Sequence, residues 1–281
     1  MERERHGATW LASYPKSGNT WLRLLLEAYR RNGALDINDV RISHSDGGAT
    51  IAQGVSPMPI EALGWRGELL LRPAAMLNML CRLGDPILVK THFANIQLDG
   101  LPPCIPREFT KKAVYVVRDP RSVLSSFAKF YQFPFDKACD AMASPEFMIG
   151  GNAAFARCLL STWSNHVASW ASETAFPVHV VKYEDMLADT AKELTEVLTF
   201  LEIEVDKKLV AKAVKAASLA QLRGAESSAG FRENSGKSGP FFGSGGTRWR
   251  DELGPKWVRR IESDHGKVME SLGYALEYPC I

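Results

Sequence analysis

The chain has 281 residues, of which 46% are apolar and 23% charged, and its formal net charge is +2. That composition excludes a disordered or fibrous chain and suffices for one large hydrophobic core. The small net charge offers no concentrated basic face for a nucleic-acid polymer, although it allows a local positive pocket for a small anion. Cys81, Cys104, Cys139, Cys158 and Cys280 form no CxxC pair and no zinc-ligand spacing, so reduced, mostly packed thiols and no metal site are expected. The N-terminal MERERHGATW is charged, and no later run approaches membrane-spanning length. A cytoplasmic protein with no membrane partner is therefore expected.

In chain order, Thr9–Tyr14 reads as a strand, followed by a turn with Pro and Gly and an apolar helix from Asn19 to Arg31. Residues 32–66 read mostly as loop. A helix is expected over Pro73–Leu83, a short strand over Ile87–Thr91, and a central, doubly covered strand over Lys112–Arg118. A helix should begin near Pro120, since proline suits the first turn. A short helix is expected over Phe135–Ala143 and a long one over Asn152–Ser172. A strand over Pro177–Lys182 leads through Tyr183, Glu184 and Asp185 into a helix reaching Leu201. Helices over Asp206–Ala217 and Pro255–Leu272 flank a Gly/Ser-rich stretch, 225–247, read as a flexible loop. The pattern predicts a single α/β domain over 1–281, with a central mostly parallel sheet flanked by helices.

Between the first strand and its helix lies Ser13-Tyr14-Pro15-Lys16-Ser17-Gly18-Asn19-Thr20-Trp21. At such a junction, backbone N–H groups converge on an anion and the helix dipole adds to the attraction. Lys16 brings a mobile charge, Ser17 and Thr20 can donate hydroxyl hydrogen bonds, and Gly18 permits a close turn. Pro15 before Lys16 rules out a Walker A loop, which needs glycine there. Trp21 fits core packing or stacking on a base equally well. Arg118 ends the central strand, where ligands bind in open α/β sheets, and its planar fork suits a phosphate. His92 follows Lys90 and Thr91 at another strand end, where a neutral imidazole can take a proton near pH 7. The remaining histidines have weaker claims: His44 reads as solvated and His166 as packed with a satisfied hydrogen bond.

These segments resemble the nucleotide-dependent sulfotransferases, whose donor is 3′-phosphoadenosine-5′-phosphosulfate (PAPS). The family's 5′-phosphosulfate loop reads YPKSGTTW, and this chain has YPKSGNTW. The resemblance assigns Lys16, Ser17, Gly18, Asn19 and Thr20 to the 5′-phosphosulfate and Trp21 to the adenine. Lys90-Thr91-His92 matches the family's KTH, whose histidine is the catalytic base. The segment YVVRDPRSVLSSF resembles the 3′-phosphate motif, which implies Arg118 and Ser126 as its ligands. Tyr183-Glu184 resembles the YE whose tyrosine approaches the adenine. An acceptor oxygen would then attack sulfur as His92 removes its proton, while Lys16, loop amides and Lys90 stabilise charge on the departing adenosine 3′,5′-bisphosphate (PAP).

One motif departs from the pattern. The distal RKGxxGDWK is represented by residues 241–250, FFGSGGTRWR: Gly243 and Gly246 keep the spacing, while Phe241 and Phe242 stand in place of the Arg-Lys pair. Arg248, Arg250, Arg232 and Lys237 are the candidates for the missing charge, Arg248 being nearest the motif. This region most resembles bacterial small-molecule sulfotransferases, including those acting on glycopeptide scaffolds.

The aromatic stretch Phe127, Phe130, Tyr131, Phe133 and Phe135 suits an aromatic or natural-product hydroxyl acceptor as well as it suits core packing. A homodimer and a carrier-bound substrate are both compatible with the sequence. The alternatives are a small-molecule or nucleotide kinase and a noncatalytic nucleotide-binding regulator. Missing Walker A glycines weigh against the kinase, and the retained His92 and Lys16 weigh against the regulator.

Overall fold

A computed structural model describes residues 7–83, 87–234, 239–243 and 248–278. The elements are β1 (Ala8–Ser13), α1 (Asn19–Arg30), β2 (His44–Ser45), α2 (Ala49–Gln53), α3 (Gly64–Leu83), β3 (Ile87–Thr91), β4 (Thr110–Val117), α4 (Pro120–Tyr131), α5 (Phe135–Ala143), β5 (Met148–Ile149), β6 (Cys158–Leu159), α6 (Trp163–Ala171), β7 (Val178–Lys182), α7 (Tyr183–Ala188), α8 (Thr190–Phe200), α9 (Lys207–Ala216), α10 (Leu219–Ala229), α11 (Trp249–Glu252) and α12 (Pro255–Ser271). Five strands form a mostly parallel sheet flanked by helices, in the order β2-β3-β1-β4-β7. β1 and β2 both pair with β3 in parallel, in registers that set Ala12 beside Thr91 and Ser45 beside Lys90. Every residue of β1 is buried, as in a strand covered on both faces. Among the described residues, no helix is long and apolar enough to cross a membrane.

The chain divides into two compact units. The first comprises Met1–Tyr14, Ser43–Tyr115 and Ala141–Val180. Its core holds Trp10, Leu11, Val89, Phe93, Tyr115, Trp163 and Trp170, all nearly or wholly buried. The indole of Trp10 donates to the Thr110 hydroxyl at 2.9 Å and that of Trp170 to the Phe93 carbonyl at 3.0 Å, so neither N–H is stranded. The second unit comprises Pro15–Ile42, Val116–Asp140 and Val181–Ile281. Leu22, Leu24, Leu25, Leu26, Leu124, Phe127, Val197, Ile261 and Met269 fill it.

Helix starts follow local chemistry. Asp119 caps α4 by accepting from the Arg121 amide, with Pro120 as the first helical residue. Asp189, Asp206 and Ser218 cap α8, α9 and α10 in the same manner.

Several sequence expectations are corrected. α3 begins at Gly64, not Pro73, and Pro73 lies inside it. Leu69, Arg72, Met76 and Met79 bury one face of this helix at helical spacing, and that packing outweighs one missing backbone bond. The expected loop at 32–66 also contains β2 and α2. The helix expected over Asn152–Ser172 is only α6, starting at Trp163. Upstream, Gly150 and Gly151 adopt positive φ and the Asn152 side chain accepts from the amides of Ala154 and Phe155, which closes the β5–β6 hairpin instead. The helix expected to run through Leu201 breaks at Asp189 into α7 and α8. Residues 225–229, expected in the Gly/Ser loop, belong to α10.

Candidate active site

The base candidate lies in the first unit. β3 carries Val89 and Thr91 inward, and His92 follows at its carboxyl end. The His92 Nδ1 is 2.8 Å from the Ser13 carbonyl oxygen at the end of β1, and 3.3 Å from the Ser13 hydroxyl. A carbonyl only accepts, so Nδ1 carries the proton and Nε2 keeps the lone pair a base needs.

The main chain around His92 is anchored on two sides. The Thr91 hydroxyl donates to Asp46 at 2.7 Å and accepts from the Phe93 amide at 3.1 Å. Asp46 is paired with buried Arg72 at 2.6 Å, and the Arg72 guanidinium also donates to the Cys104 carbonyl and lies over the Phe93 ring. On the other side, His166 Nε2 is 3.0 Å from the His92 carbonyl, and its Nδ1 is 2.9 Å from the Tyr115 hydroxyl. His166 is wholly buried, and desolvation pushes its pKa down to about 4, so it stays neutral. The packed, hydrogen-bonded role expected for it holds, but its partner is the base candidate's own carbonyl. Lys90 is half-buried, and its carbonyl accepts from the Asp46 amide.

The phosphate loop opens the second unit. Lys16 and Gly18 both adopt left-handed backbone, with φ of 70° and 106°. A Cβ at Gly18 would come within 2.5 Å of the Tyr183 ring, so only glycine fits there. Ser17 is buried and its hydroxyl has no hydrogen-bond partner, which a bound phosphate oxygen would supply. The residues present therefore fit the 5′ end of a nucleotide donor.

Arg118 leaves β4 with one guanidinium nitrogen 3.3 Å from the Lys16 carbonyl and its carbon 4.3 Å from the Tyr183 ring centroid. Glu184 ties these segments together, accepting from the Asp119 amide at 3.1 Å and the Tyr274 hydroxyl at 2.9 Å. Lys16, Gly18, Arg118 and Tyr183 are thus brought together in this unit. Burial, followed by the charge of Arg118, pushes the Lys16 pKa down to about 8, with Glu233 and Glu226 partly opposing the shift.

Trp21 is buried, donates to the Ala217 carbonyl at 2.8 Å and meets Tyr183 edge-on at 5.6 Å. Asn19 is buried at the start of α1, and Ser126 is half-buried on α4. Gly243 is exposed, Arg248 is exposed just before α11, and Gly246 and Lys237 lie outside the described residues. Arg121 is buried and paired with Asp119 and Glu262 over the Trp249 ring.

Two groups near the loop, Arg23 and Glu233, carry no signal in the local sequence. Thr20 donates its hydroxyl to Glu233 at 3.1 Å, and buried Arg23 grips both oxygens of that carboxylate at 2.6 and 2.7 Å. Phe130 and Phe241 meet the Lys16 ammonium. These partners are too distant in sequence for any local pattern to reveal. Among the described residues, no group of three or more His, Cys, Asp or Glu is placed to hold a metal ion.

A mostly parallel sheet with a strand–loop–helix junction shaped for an anion is an α/β architecture suited to a nucleotide. The family described as the sulfotransferase domain matches residues 7–273, and the chain belongs to it. Sulfotransferase 1 family member D1 of Rattus norvegicus is 27% identical over 92% of this chain and 82% of its own. Mouse sulfotransferase SULT7A1, solved with PAP, is 21% identical and superposes with a TM-score of 0.61 over 94% of this chain and 85% of that one. Retinol dehydratase, solved with androsterone and PAP, is 17% identical with a TM-score of 0.61, covering 99% of this chain and 84% of that one. The two structures share the fold of this chain.

Proposed function

We propose that this sulfotransferase transfers the sulfuryl group of PAPS to the hydroxyl of a small-molecule acceptor, an aromatic or natural-product alcohol, with His92 as the base. The observation that carries the reading is the hydrogen bond from His92 Nδ1 to the Ser13 carbonyl, which leaves Nε2 as the proton acceptor. PAPS supplies an activated sulfuryl group on a phosphate leaving group. Ser17, Thr20 and the amides at the start of α1 hold the 5′ end, and Arg118 with Ser126 holds the 3′-phosphate. Arg248 is the candidate for the remaining charge there. Lys16 neutralises charge that builds at the 5′ oxygens in the transition state, where a partly desolvated ammonium acts most strongly, and Lys90 assists it. Tyr183, Trp21 and the glycines Gly243 and Gly246 complete the nucleotide contacts. The similarity to solved PAP complexes supports the donor assignment. The protein is read as cytoplasmic, and a homodimer and a carrier-bound acceptor are both compatible with this reading.

Calorimetric titration with PAP and with ATP tests this reading. PAP should bind and ATP should bind far more weakly; a preference for ATP would transfer the case to a kinase. Incubating PAPS with a library of phenols and alkyl alcohols should then give a sulfated product.

A further inference from the structure

The Lys16 ammonium lies 3.9 Å from the Phe241 ring centroid and 4.2 Å from that of Phe130, within range of a cation–π contact with each. The two rings meet edge-on at 6.3 Å. Phe130 is fixed on α4, and Phe241 is held through its main chain. Buried Glu226 accepts from the Phe241 amide at 2.6 Å and from the Phe242 amide at 3.0 Å. Phe231 packs against both Phe241 and Phe242 at 4.9 Å. The aromatic face over Lys16 is therefore built, with a buried carboxylate and a third ring behind it.

The charged groups around Lys16 explain what that face does. Arg118 and Lys129 repel the ammonium, Glu233 and Glu226 attract it, and burial strips its water. The negative ring faces return part of the stabilisation that lost water supplied, without placing a carboxylate where a phosphate must approach. We infer that Phe241, together with Phe130, is a positioning residue that keeps Lys16 a cation and holds it in the phosphate loop. The inference rests on Lys16 as a donor-binding residue.

The test is the pH dependence of PAP binding, measured by calorimetry from pH 7 to pH 10, where the ligand's phosphates are already ionised. Affinity in the wild type should fall as Lys16 loses its proton, and Lys16→Arg should abolish that fall because guanidinium does not titrate there. Phe241→Leu keeps apolar bulk but removes the ring face, so the neutral amine gains and the fall should begin about half a unit to one unit lower in pH. On that limb, affinity should drop roughly threefold to tenfold relative to wild type. Phe241→Tyr should restore the wild-type curve, and Phe130→Leu should shift it in the same direction as Phe241→Leu. Coincident curves for wild type and Phe241→Leu, or a fall that persists in Lys16→Arg, would overturn the inference while PAP binding itself stood. Failure of the wild type to bind PAP at any pH would overturn the donor reading beneath it.

Discussion

The Nδ1 of His92 is 2.8 Å from the carbonyl oxygen of Ser13, so the end of one strand sets the tautomer of the residue ending its neighbour. With the proton on Nδ1, the lone pair of the neutral ring lies on Nε2, the nitrogen that the proposed base chemistry uses. His92→Gln keeps polarity but removes the basic nitrogen. It should lower turnover of PAPS with a phenolic acceptor by roughly a hundredfold or more, while PAP affinity stays within about threefold. Wild-type turnover by this variant would remove His92 from the chemistry.

Gly18 stands where a side chain has neither the backbone nor the room: φ is 106°, and an added methyl would meet Tyr183 at 2.5 Å. Gly18→Ala should strain the loop by about 1–3 kcal/mol and displace the Tyr183 ring. The expected outcome is PAP affinity weakened at least tenfold by calorimetry with the far-UV spectrum unchanged.

His166 bridges the Tyr115 hydroxyl and the His92 carbonyl from a wholly buried position. His166→Phe retains ring bulk but removes one hydrogen bond from each partner, a cost of about 1–3 kcal/mol in denaturant unfolding. Turnover should fall with PAP affinity preserved, since the main chain of His92, the proposed base, moves and the loop from Lys16 to Thr20 does not.

The same residue makes the fold acid-sensitive. Burial pushes its pKa from the usual 6.5 to about 4, so the unfolded chain binds the extra proton between those values. Stability is then complete above pH 6.5 and falls as pH drops toward 4, by about 2 kcal/mol between pH 7 and pH 5. His265, buried and likewise pushed down to about 4, adds a similar loss. The melting temperature should therefore decline on acidification, and less steeply in His166→Phe.

Arg121 joins Asp119 at 2.7 Å and Glu262 at 2.6 Å, with all three side chains buried. Glu262 also accepts from the amides of Glu277 and Tyr278, and Arg121 donates to the Ala275 carbonyl. Arg121→Met leaves two buried carboxylates without their cation and should destabilise the fold by about 3–5 kcal/mol in urea. Little change in the urea midpoint would show that water reaches those carboxylates.

Legibility tracked sequence distance. β3, α5 and the start of α4 were readable because a β-branched run or a cap with its proline is local chemistry. α3 and the 152–162 segment depart from the local pattern because burial of a helix face and closure of a hairpin depend on remote partners. Arg121 carries no such local signal, since Glu262, which pairs with it, is far along the chain. The Phe241-Phe242 pair read only as an absence of charge. In the folded chain Phe241 is a ring against Lys16, a contact that composition could not express.

For Lys16 to Thr20, sequence by itself determined a junction suited to an anion, because a strand, a tight turn and a helix start are contiguous and the backbone amides follow from them. It also determined His92 as the histidine to single out, through its place at a strand end. Tertiary structure decided what those residues are chemically. Register between β1 and β3 put the Ser13 carbonyl beside Nδ1 and so chose the basic nitrogen. Burial and Arg118 lower the Lys16 pKa, because desolvation and Coulomb energies depend on distance in space and not on distance along the chain.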